Sequence, residues 1–483
     1  MMKINKILIT MISLIVILFI TLAATLSTTG DADKFIFIKS KVPDKFKRYL
    51  KENISYLKAK ELERYSQTLK SENININKKR ISTWRDLSEN HMKNMNLSLE
   101  KVDEQIIIAT NKVQYNLKKF KIPFFDLSYY DWEQKPIGYL EQTSKKVFFV
   151  TGNGVFLSYD KEYLNNDQIP INIIETNLKK IILDENFFNI DRISVKDLLI
   201  KDEYIYLSYT REQKLDCYNT SIIRSKISEK FLEFKDFFVY EDCVPTSYQE
   251  WNAHQTGGTM FSSPDIKDIF FSIGEFRDRK RAQEKNSIFG KVVKIDISSK
   301  NYKIVSMGHR NVQGLFYDED NKILIMSEHG PRGGDELNIN YDIENEVENY
   351  GWPISSYGFH YNNKYPRLEA PLKKSHSEHG FLEPIKYWSK SIGIGRIKKI
   401  PSNFNDNFSN NSFLLGSMGW LPKQGHQTLY QLDFDNNLEK IIKENKIVIN
   451  ERIRDFDFDE KNKTIYLVLE NSPAIATLKI NDN

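Results

Sequence analysis

From Val102 to the C-terminus the chain is a succession of short apolar runs, each stopped within a few residues by Gly, Asn or Asp. "EQIIIA", "KKVFFVTGNGVFLSYD", "DEYIYLSYT", "KDIFFSIGE", "GKVVKIDI", "KILIMSE", "SFLLGSM", "TLYQLDF" and "KTIYLVLE" all have this form. They are rich in β-branched and aromatic residues, which fit a pleated, packed surface. No strand alternates with a long helical pattern, which argues against a parallel α/β sheet. Many short strands in one large domain leave a propeller, a barrel or a sandwich. An acidic turn followed by an apolar strand recurs in "DEYIYLSYT", "DNKILIMSE" and "DEKNKTIYLVLE". A repeated strand unit favours the propeller, an all-β fold of radially arranged sheets. That domain is predicted over residues 101–483.

The 483 residues allow one large domain or two to three ordinary ones. Hydrophobic residues at 40% supply a sizeable core. The 69 basic and 65 acidic side chains nearly cancel, which gives no argument for a nucleic-acid partner. Residues 31–100 differ from the strand-rich remainder of the chain. "DKFKRYLKENISYLKAKELERYSQTLKSE" spaces its apolar residues as a helix does, amid many Lys and Glu, and reads as a helical stalk or pack-on segment.

The first thirty residues carry "ILITMISLIVILFITLAATL", Ile7 to Leu26, without a charge. As a helix this run is ~30 Å long, about one hydrocarbon thickness. Lys3 and Lys6 precede it, so the run is expected to anchor the chain with the main domain outside, in the periplasm. A cleaved signal peptide is the rival, although its apolar region is usually shorter. Either way the domain is exported. Cys217 and Cys243 can then form a disulfide or remain two buried thiols.

Polar residues gather on loops beside the strands. "NAHQTGGTMF" holds His254, and "GHRNVQGLF" holds His309, Arg310, Asn311 and Gln313. "SEHGPRGGDELN" packs glycines, a proline and charges into one loop and leads on to "NYGWPISSYGFHY". In "ERIRDFDF", Arg452 and Arg454 flank Ile453, which on a strand puts both guanidinium groups on one face. Each has a plain structural reading: a satisfied histidine, a turn cap, a surface charge or a core aromatic.

Taken in order, these words resemble the soluble-type PQQ-dependent sugar dehydrogenases, the glucose/sorbosone dehydrogenase family, and most of all its aldose sugar dehydrogenase branch. The likeness runs from about Cys243 to the C-terminus. It implies a six-bladed β-propeller with PQQ lying over one end. It implies that His254 is the general base, taking the sugar's C1 hydroxyl proton while hydride passes to the quinone; a histidine titrates near working pH. Arg310 and Asn311 would touch the quinone oxygens, and Arg452 and Arg454 would hold cofactor carboxylates. Tyr357 and Tyr361 would line the cofactor pocket. Glu275 in "SIGEF" would belong to the same site, where some members have Asp.

The resemblance also implies Ca²⁺. Main-chain carbonyls of Gly330 and Pro331 would ligate an ion that bridges to the quinone. Glu336 and the carbonyl of Tyr350 would hold a further one, since Ca²⁺ takes oxygen ligands of this kind. The chain departs from the family where a Gln or Glu precedes a Gly-Gly-Leu run, a word not found here. A family Lys faces "GSMGWLPK", where Lys423 is the nearest candidate. The expected function is oxidation of an aldose or related alcohol, with an unidentified electron acceptor. The alternative is a non-catalytic, Ca²⁺-stabilised propeller that binds sugar or a partner protein. A Ca²⁺-dependent hydrolase would want clustered acids placed to activate water, and the acids here are scattered.

Overall fold

A computed structural model of the chain describes residues 97–122, 137–182, 194–248, 250–361, 367–406, 408–419 and 421–481. The expected membrane helix lies outside these residues. So does the expected helical stalk up to residue 96, and Ser98 already opens a strand, Ser98–Ile108. No helix among the described residues is long and apolar enough to cross a membrane.

The strands form six sheets. Blade one runs Gly138–Gln142, Lys146–Thr151, Phe156–Asp160 and Asn172–Thr176, and Phe231–Leu232 adds in parallel at its edge. Blade two runs Val195–Lys201, Tyr204–Lys214, Cys217–Lys226 and Lys235–Phe238. Blade three runs Gly257–Phe261, Asp268–Ile273, Lys291–Asp296 and Tyr302–Met307. Blade four runs Val312–Asp318, Ile323–Glu328, Asp335–Asn340 and Lys386–Trp388. Blade five runs Ile394–Lys399, Ser412–Ser417, Thr428–Phe434 and Ile441–Val448.

Blade six closes the ring. Ile453–Asp459, Thr464–Leu469 and Ala474–Ile480 come from the end of the chain, and Gln114–Lys121 pairs with the last of them in antiparallel register, Tyr115 opposite Ile480. The first strands of successive blades stand side by side around the axis, the last beside the first. This is a six-bladed β-propeller.

The blade interiors explain why the sequence shows runs rather than strict alternation. A middle strand is packed on both faces by neighbouring blades, so both sets of side chains must be apolar or paired. Every residue of Ile323–Glu328, Thr428–Phe434 and Thr464–Leu469 is buried. Phe148 of blade one, Leu198 of blade two and Phe271 of blade three share one cluster. Leu414 of blade five meets Phe456 of blade six, and Tyr466 of blade six meets Phe149 of blade one. Each such side chain is worth roughly 1.5–3 kcal/mol on burial. At the rim, Ile441–Val448 exposes several residues, which a one-sided packing permits.

Charge as well as hydrocarbon ties the inner strands together. Arg396 of blade five donates through Nε to Asp455 of blade six at 2.8 Å and through both terminal nitrogens to Asp197 of blade two. Asp197 also accepts from the Met260 amide of blade three at 2.6 Å, and Asp455 accepts from the Leu140 amide of blade one at 3.0 Å. Asp197 and Asp455 are fully buried. One guanidinium and two carboxylates thus join five of the six inner strands, with their remaining lone pairs met by backbone N–H groups. Such a cluster specifies geometry more than it adds stability.

Cys217 and Cys243 are bridged, with Cα atoms 5.5 Å apart. The bond ties the start of the third strand of blade two to the short strand Val244–Pro245 that pairs with it.

Candidate active site

One end of the propeller holds a cavity of about 200 Å³. The segments that build it are the links between blades two and three, within blade three, between blades three and four, and after the second and third strands of blade four, the last supplying Trp352, His360, Tyr361 and Arg367.

Arg310 ends the link that enters blade four. His309 beside it is fully buried, with Nδ1 2.7 Å from Glu328 and Nε2 2.8 Å from Ser306 Oγ, and its ring stacks on Tyr350. The other Glu328 oxygen accepts the Arg310 amide. The backbone of Arg310 is therefore pinned by the residue that ends the second strand. Its guanidinium donates to the His329 carbonyl at 2.7 Å and lies 5.5 Å from the Trp352 ring centre. Burial disfavours its charged form, so its pKa falls below the ordinary arginine value.

Gln255 joins Arg310 to the rest of the cavity. With its amide nitrogen toward Glu275, its oxygen accepts from Arg310 Nη2 at 2.7 Å and from Arg277 Nε at 3.1 Å. Glu275 is fully buried, and one of its oxygens has no hydrogen-bond partner among the described residues. Burial pushes its carboxyl up to about 7, against the pull of Arg279 and Arg310. Glu250 behaves oppositely. Burial would raise it, but hydrogen bonds from Arg367 and Arg279 hold it down at about 2. Arg367 Nη2 donates to it at 2.7 Å.

His254 sits one residue before Gln255 and is exposed. Its amide donates to Asn252 Oδ1 at 2.6 Å, and its carbonyl accepts from Asn311 Nδ2 at 3.2 Å. Asn311 Oδ1 in turn accepts from the Gly257 amide at 3.0 Å and from Gln313 at 3.1 Å. Gly257 stands at φ 62°, and a side chain there would press on the backbone of Ser272 and Gly274. Two polar words far apart in sequence, "NAHQTGG" and "GHRN", are thereby stitched together; Gln255 and Arg310 of these words line the cavity, whereas their neighbours His254 and Asn311 are not among its lining residues. Pro331, Trp352 and Tyr361 complete its wall. Tyr357 is not among its lining residues. It stacks on Tyr387 with ring centres 3.9 Å apart, and its hydroxyl donates to Glu383 at 2.7 Å.

Arg452 and Arg454 share a face, as their spacing requires, but that face is already occupied. Arg454 Nε donates to Glu470 at 2.6 Å and Arg452 Nε to the other Glu470 oxygen at 2.7 Å. Arg452 also donates to the Met418 carbonyl. Arg454 lines a small cleft on the axis together with Gln313 and Gly257.

The charged loop 327–338 is organised by Asp335. Its carboxylate accepts from the amides of Gly330 at 3.1 Å, Gly393 at 2.8 Å and Ile394 at 3.1 Å, and from His329 Nδ1 at 3.0 Å. Burial alone would raise its pKa, and His329 with these amides brings it below the usual value. A Cβ at Gly330 would collide with the Gly334 carbonyl, which explains the glycine there.

These residues fit an anionic, flat cofactor as a donor set: guanidinium groups, two indoles and an amide round one cavity. The first Ca²⁺ position fits in part. The Pro331 carbonyl already accepts from Ser391 Oγ at 3.0 Å and the Gly334 amide at 3.2 Å, so an ion there needs Ser391 turned aside. The second does not fit as the side chains stand. His376 bridges the two groups in question, with Nδ1 2.9 Å from the Tyr350 carbonyl and Nε2 3.3 Å from Glu336 Oε1. Among the described residues no group of three or more His, Cys, Asp or Glu is arranged to hold a metal.

Sequence reading passes over Gln255, Glu250, Arg277, Arg279, Arg367, His376 and Glu470. The run "EFRDRKR" looks like a solvated charged turn, and nothing local shows that it folds inward.

Fold and cavity together define a propeller whose end carries a cavity lined by four arginines. A family model described as glucose/sorbosone dehydrogenase matches residues 192–477, more than half of the chain. The chain belongs to the glucose/sorbosone dehydrogenase family. It is 28% identical to the aldose sugar dehydrogenase YliI of Escherichia coli over 203 residues, 39% of this chain and 52% of that protein. It is 30% identical to an uncharacterized protein, slr1608, of Synechocystis over 190 residues, 37% of this chain and 42% of that one. The chain thus spans about half the length of the curated relatives it matches. A crystal structure of a glucose dehydrogenase superposes with a TM-score of 0.55 at 21% identity, covering 72% of this chain and 97% of its own. The soluble aldose sugar dehydrogenase of Escherichia coli in its apo form gives 0.53 at 19%, with the same coverage. These two likenesses establish the fold.

Proposed function

We propose that the protein is an extracytoplasmic PQQ-dependent dehydrogenase that oxidises an aldose or a related alcohol. The observation that carries this reading is the coupling of His254 to the cavity: its chain neighbour Gln255 holds Arg310, and its own carbonyl is held by Asn311. A base carried one residue from the wall of a cationic cavity suits removal of a hydroxyl proton beside an electron acceptor. PQQ, when bound, supplies the two-electron acceptor. His254 takes the proton of the C1 hydroxyl, and C1 becomes a carbonyl as its hydride departs. Arg310, fixed through Glu328 and Gln255, stabilises developing negative charge without reorienting, which is where preorganised donors gain most. Asn311 positions the His254 backbone. The carbonyls of Gly330 and Pro331 are the residues that would hold one Ca²⁺. The apolar run Ile7–Leu26 and the Cys217–Cys243 bond support an exported, anchored location.

One observation favours the alternative, a non-catalytic propeller that binds sugar or a partner protein. Arg452 and Arg454 are both engaged by Glu470, which leaves cofactor carboxylates without that clamp. Reconstitution separates the two. Purified protein titrated with PQQ and CaCl₂ should show saturable bound-quinone absorbance near one equivalent per chain, and Arg310→Gln should weaken it. No saturable binding at any Ca²⁺ concentration would leave the non-catalytic propeller.

A further inference from the structure

Lys291 opens the third strand of blade three and is 1% exposed. Its ammonium donates to three main-chain carbonyls, those of Arg281, Ala282 and Phe289, each at 2.9 Å. A lysine ammonium has three donors and no acceptor, so the set is complete. Among the described residues Glu284 is the only charge that favours its protonated form, and it acts from beyond ion-pair distance. Burial pulls the pKa down to about 7. A charge without a counter-charge is costly to bury unless its hydrogen bonds are met. Here carbonyl dipoles alone meet them. Converging carbonyls are how a protein takes a bare monovalent cation out of water, and Lys291 brings its own cation to such a site.

What this site grips is the arginine-bearing turn of the cavity wall. Arg281 and Ala282 belong to the 3₁₀ turn Arg279–Gln283. Arg277, which precedes the turn, and Arg279, which starts it, both line the cavity. The approach to the turn is strained, with Phe276 at φ 51° and Arg277 at φ 68°, two left-handed non-glycine residues in succession. Such a backbone persists where its surroundings over-determine it. The Ala282 carbonyl also accepts from the Gly308 amide at 3.0 Å, and the carbonyl of Gly290, next to Lys291, accepts from the His309 amide at 3.1 Å. Gln283, ending the turn, donates to the Trp352 carbonyl at 2.7 Å. The turn, the segment that leads into Arg310 and the Trp352 wall are thus joined at the carbonyl site or one residue from it. Other ties of the turn lie on its outer side, where Arg281 donates to Asp278 at 2.8 Å and to the exposed Asp242 at 2.9 Å.

We propose that Lys291 is a positioning residue for the cavity: its ammonium fills a three-carbonyl site for a monovalent cation, and that cation sets the turn which delivers Arg277 and Arg279. The proposal rests on the cavity being the ligand site of the dehydrogenase reading, but not on which ligand it takes. An apolar side chain of similar length would pack the space and leave three carbonyls unmet. A free ammonium ion, admitted where the side chain has been cut back, would meet them again.

Trypsin reads the turn directly, because Arg277, Arg279, Lys280 and Arg281 are all cleavage points that a fixed turn withholds. Full-length wild type, Lys291→Ala and Lys291→Met are digested at slightly acidic pH, and cuts within residues 277–285 are followed by mass spectrometry. In sodium chloride, Lys291→Ala should be cut there at least tenfold faster than wild type. Ammonium chloride at the same ionic strength should recover most of the protection. Tetramethylammonium chloride, whose cation has no N–H donor and is too large for the space, should recover none. Lys291→Met should be cut as fast as Lys291→Ala and gain nothing from ammonium, since its side chain fills the site. Wild-type cleavage in each salt corrects for the protease. Should Lys291→Ala fail to fold, its refolding yield is read in the same two salts, and ammonium alone must raise it. Either variant as resistant as wild type would overturn the proposal. So would protection or yield that returns equally in both salts, or in neither. The turn is read without ligand, so a protein that fails to bind PQQ or to turn over leaves this result standing, and a failure here leaves the dehydrogenase reading where it was.

Discussion

Glu470 accepts a hydrogen bond from Arg454 Nε at 2.6 Å. Its second oxygen takes Arg452 Nε, so one fully buried carboxylate balances two guanidinium groups just past the second strand of the closing blade. Glu470→Gln should therefore be costly, because it takes the counter-charge from two buried guanidinium groups. Breaking a buried pair costs roughly 3–5 kcal/mol. A melting temperature lower by several degrees in thermal denaturation is expected. An unchanged melt would mean the two arginines are compensated elsewhere.

Glu275 gives the protein a pH dependence with a definite sign. Its carboxyl keeps its proton to about 7 in the folded chain and releases it near 4.5 once unfolded. The folded state thus binds more protons between those values, so this group's contribution falls as pH rises from about 4.5 to 7. The full difference is of order 3 kcal/mol. Glu275→Gln should flatten that part of the stability–pH curve, measured by urea denaturation at a series of pH values. A variant with the same slope as wild type would place the titration on another group.

How much of this was readable in the residues divides along physical lines. The strands were legible because double-sided packing forces apolar runs such as "KILIM" and "KTIYLVL". The propeller was legible because the turn-and-strand unit recurs. Arg310, Pro331 and Tyr361, which line the cavity, stand out in the sequence through the order of their words; His254, Asn311 and Gly330 stand in the same words but outside the cavity lining. What stayed hidden depends on contacts across the fold. Gln255 acquires its role from Arg277 and Arg310, 22 and 55 residues away. Arg452 and Arg454 were visible as a pair, but Glu470, which occupies them, lies in an ordinary strand end. Tyr357 was expected in the pocket wall and instead stacks on Tyr387.

His376 changes what calcium should do. Because it bridges Glu336 and the Tyr350 carbonyl, Glu336→Gln should lower stability by the loss of that pairing, roughly 1–3 kcal/mol. The loss should be the same in excess Ca²⁺ and in chelator. If saturating Ca²⁺ widens the gap between wild type and variant in differential scanning fluorimetry, Glu336 is an ion ligand after all.

The Cys217–Cys243 bond closes a 26-residue separation. A loop of that size gives about 3.5 kcal/mol in the chain-entropy account. Reduction, or a Cys217→Ser and Cys243→Ser double variant, should shift the denaturation midpoint by a corresponding amount. A midpoint indifferent to reductant would show that the bond is dispensable.

The dehydrogenase reading rests most directly on His254, and single-turnover reduction of bound quinone tests it. PQQ- and Ca²⁺-loaded protein is mixed with an aldose, and the quinone spectrum is followed without added acceptor. Wild type should reduce the quinone. His254→Ala, exposed and outside the packed core, should bind PQQ with similar affinity and reduce it ~10²–10⁴-fold more slowly, the usual cost of losing a general base. A wild type that binds PQQ but reduces it with no aldose, acidic sugar or simple alcohol would contradict the account, as would a His254→Ala variant that reduces it at the wild-type rate.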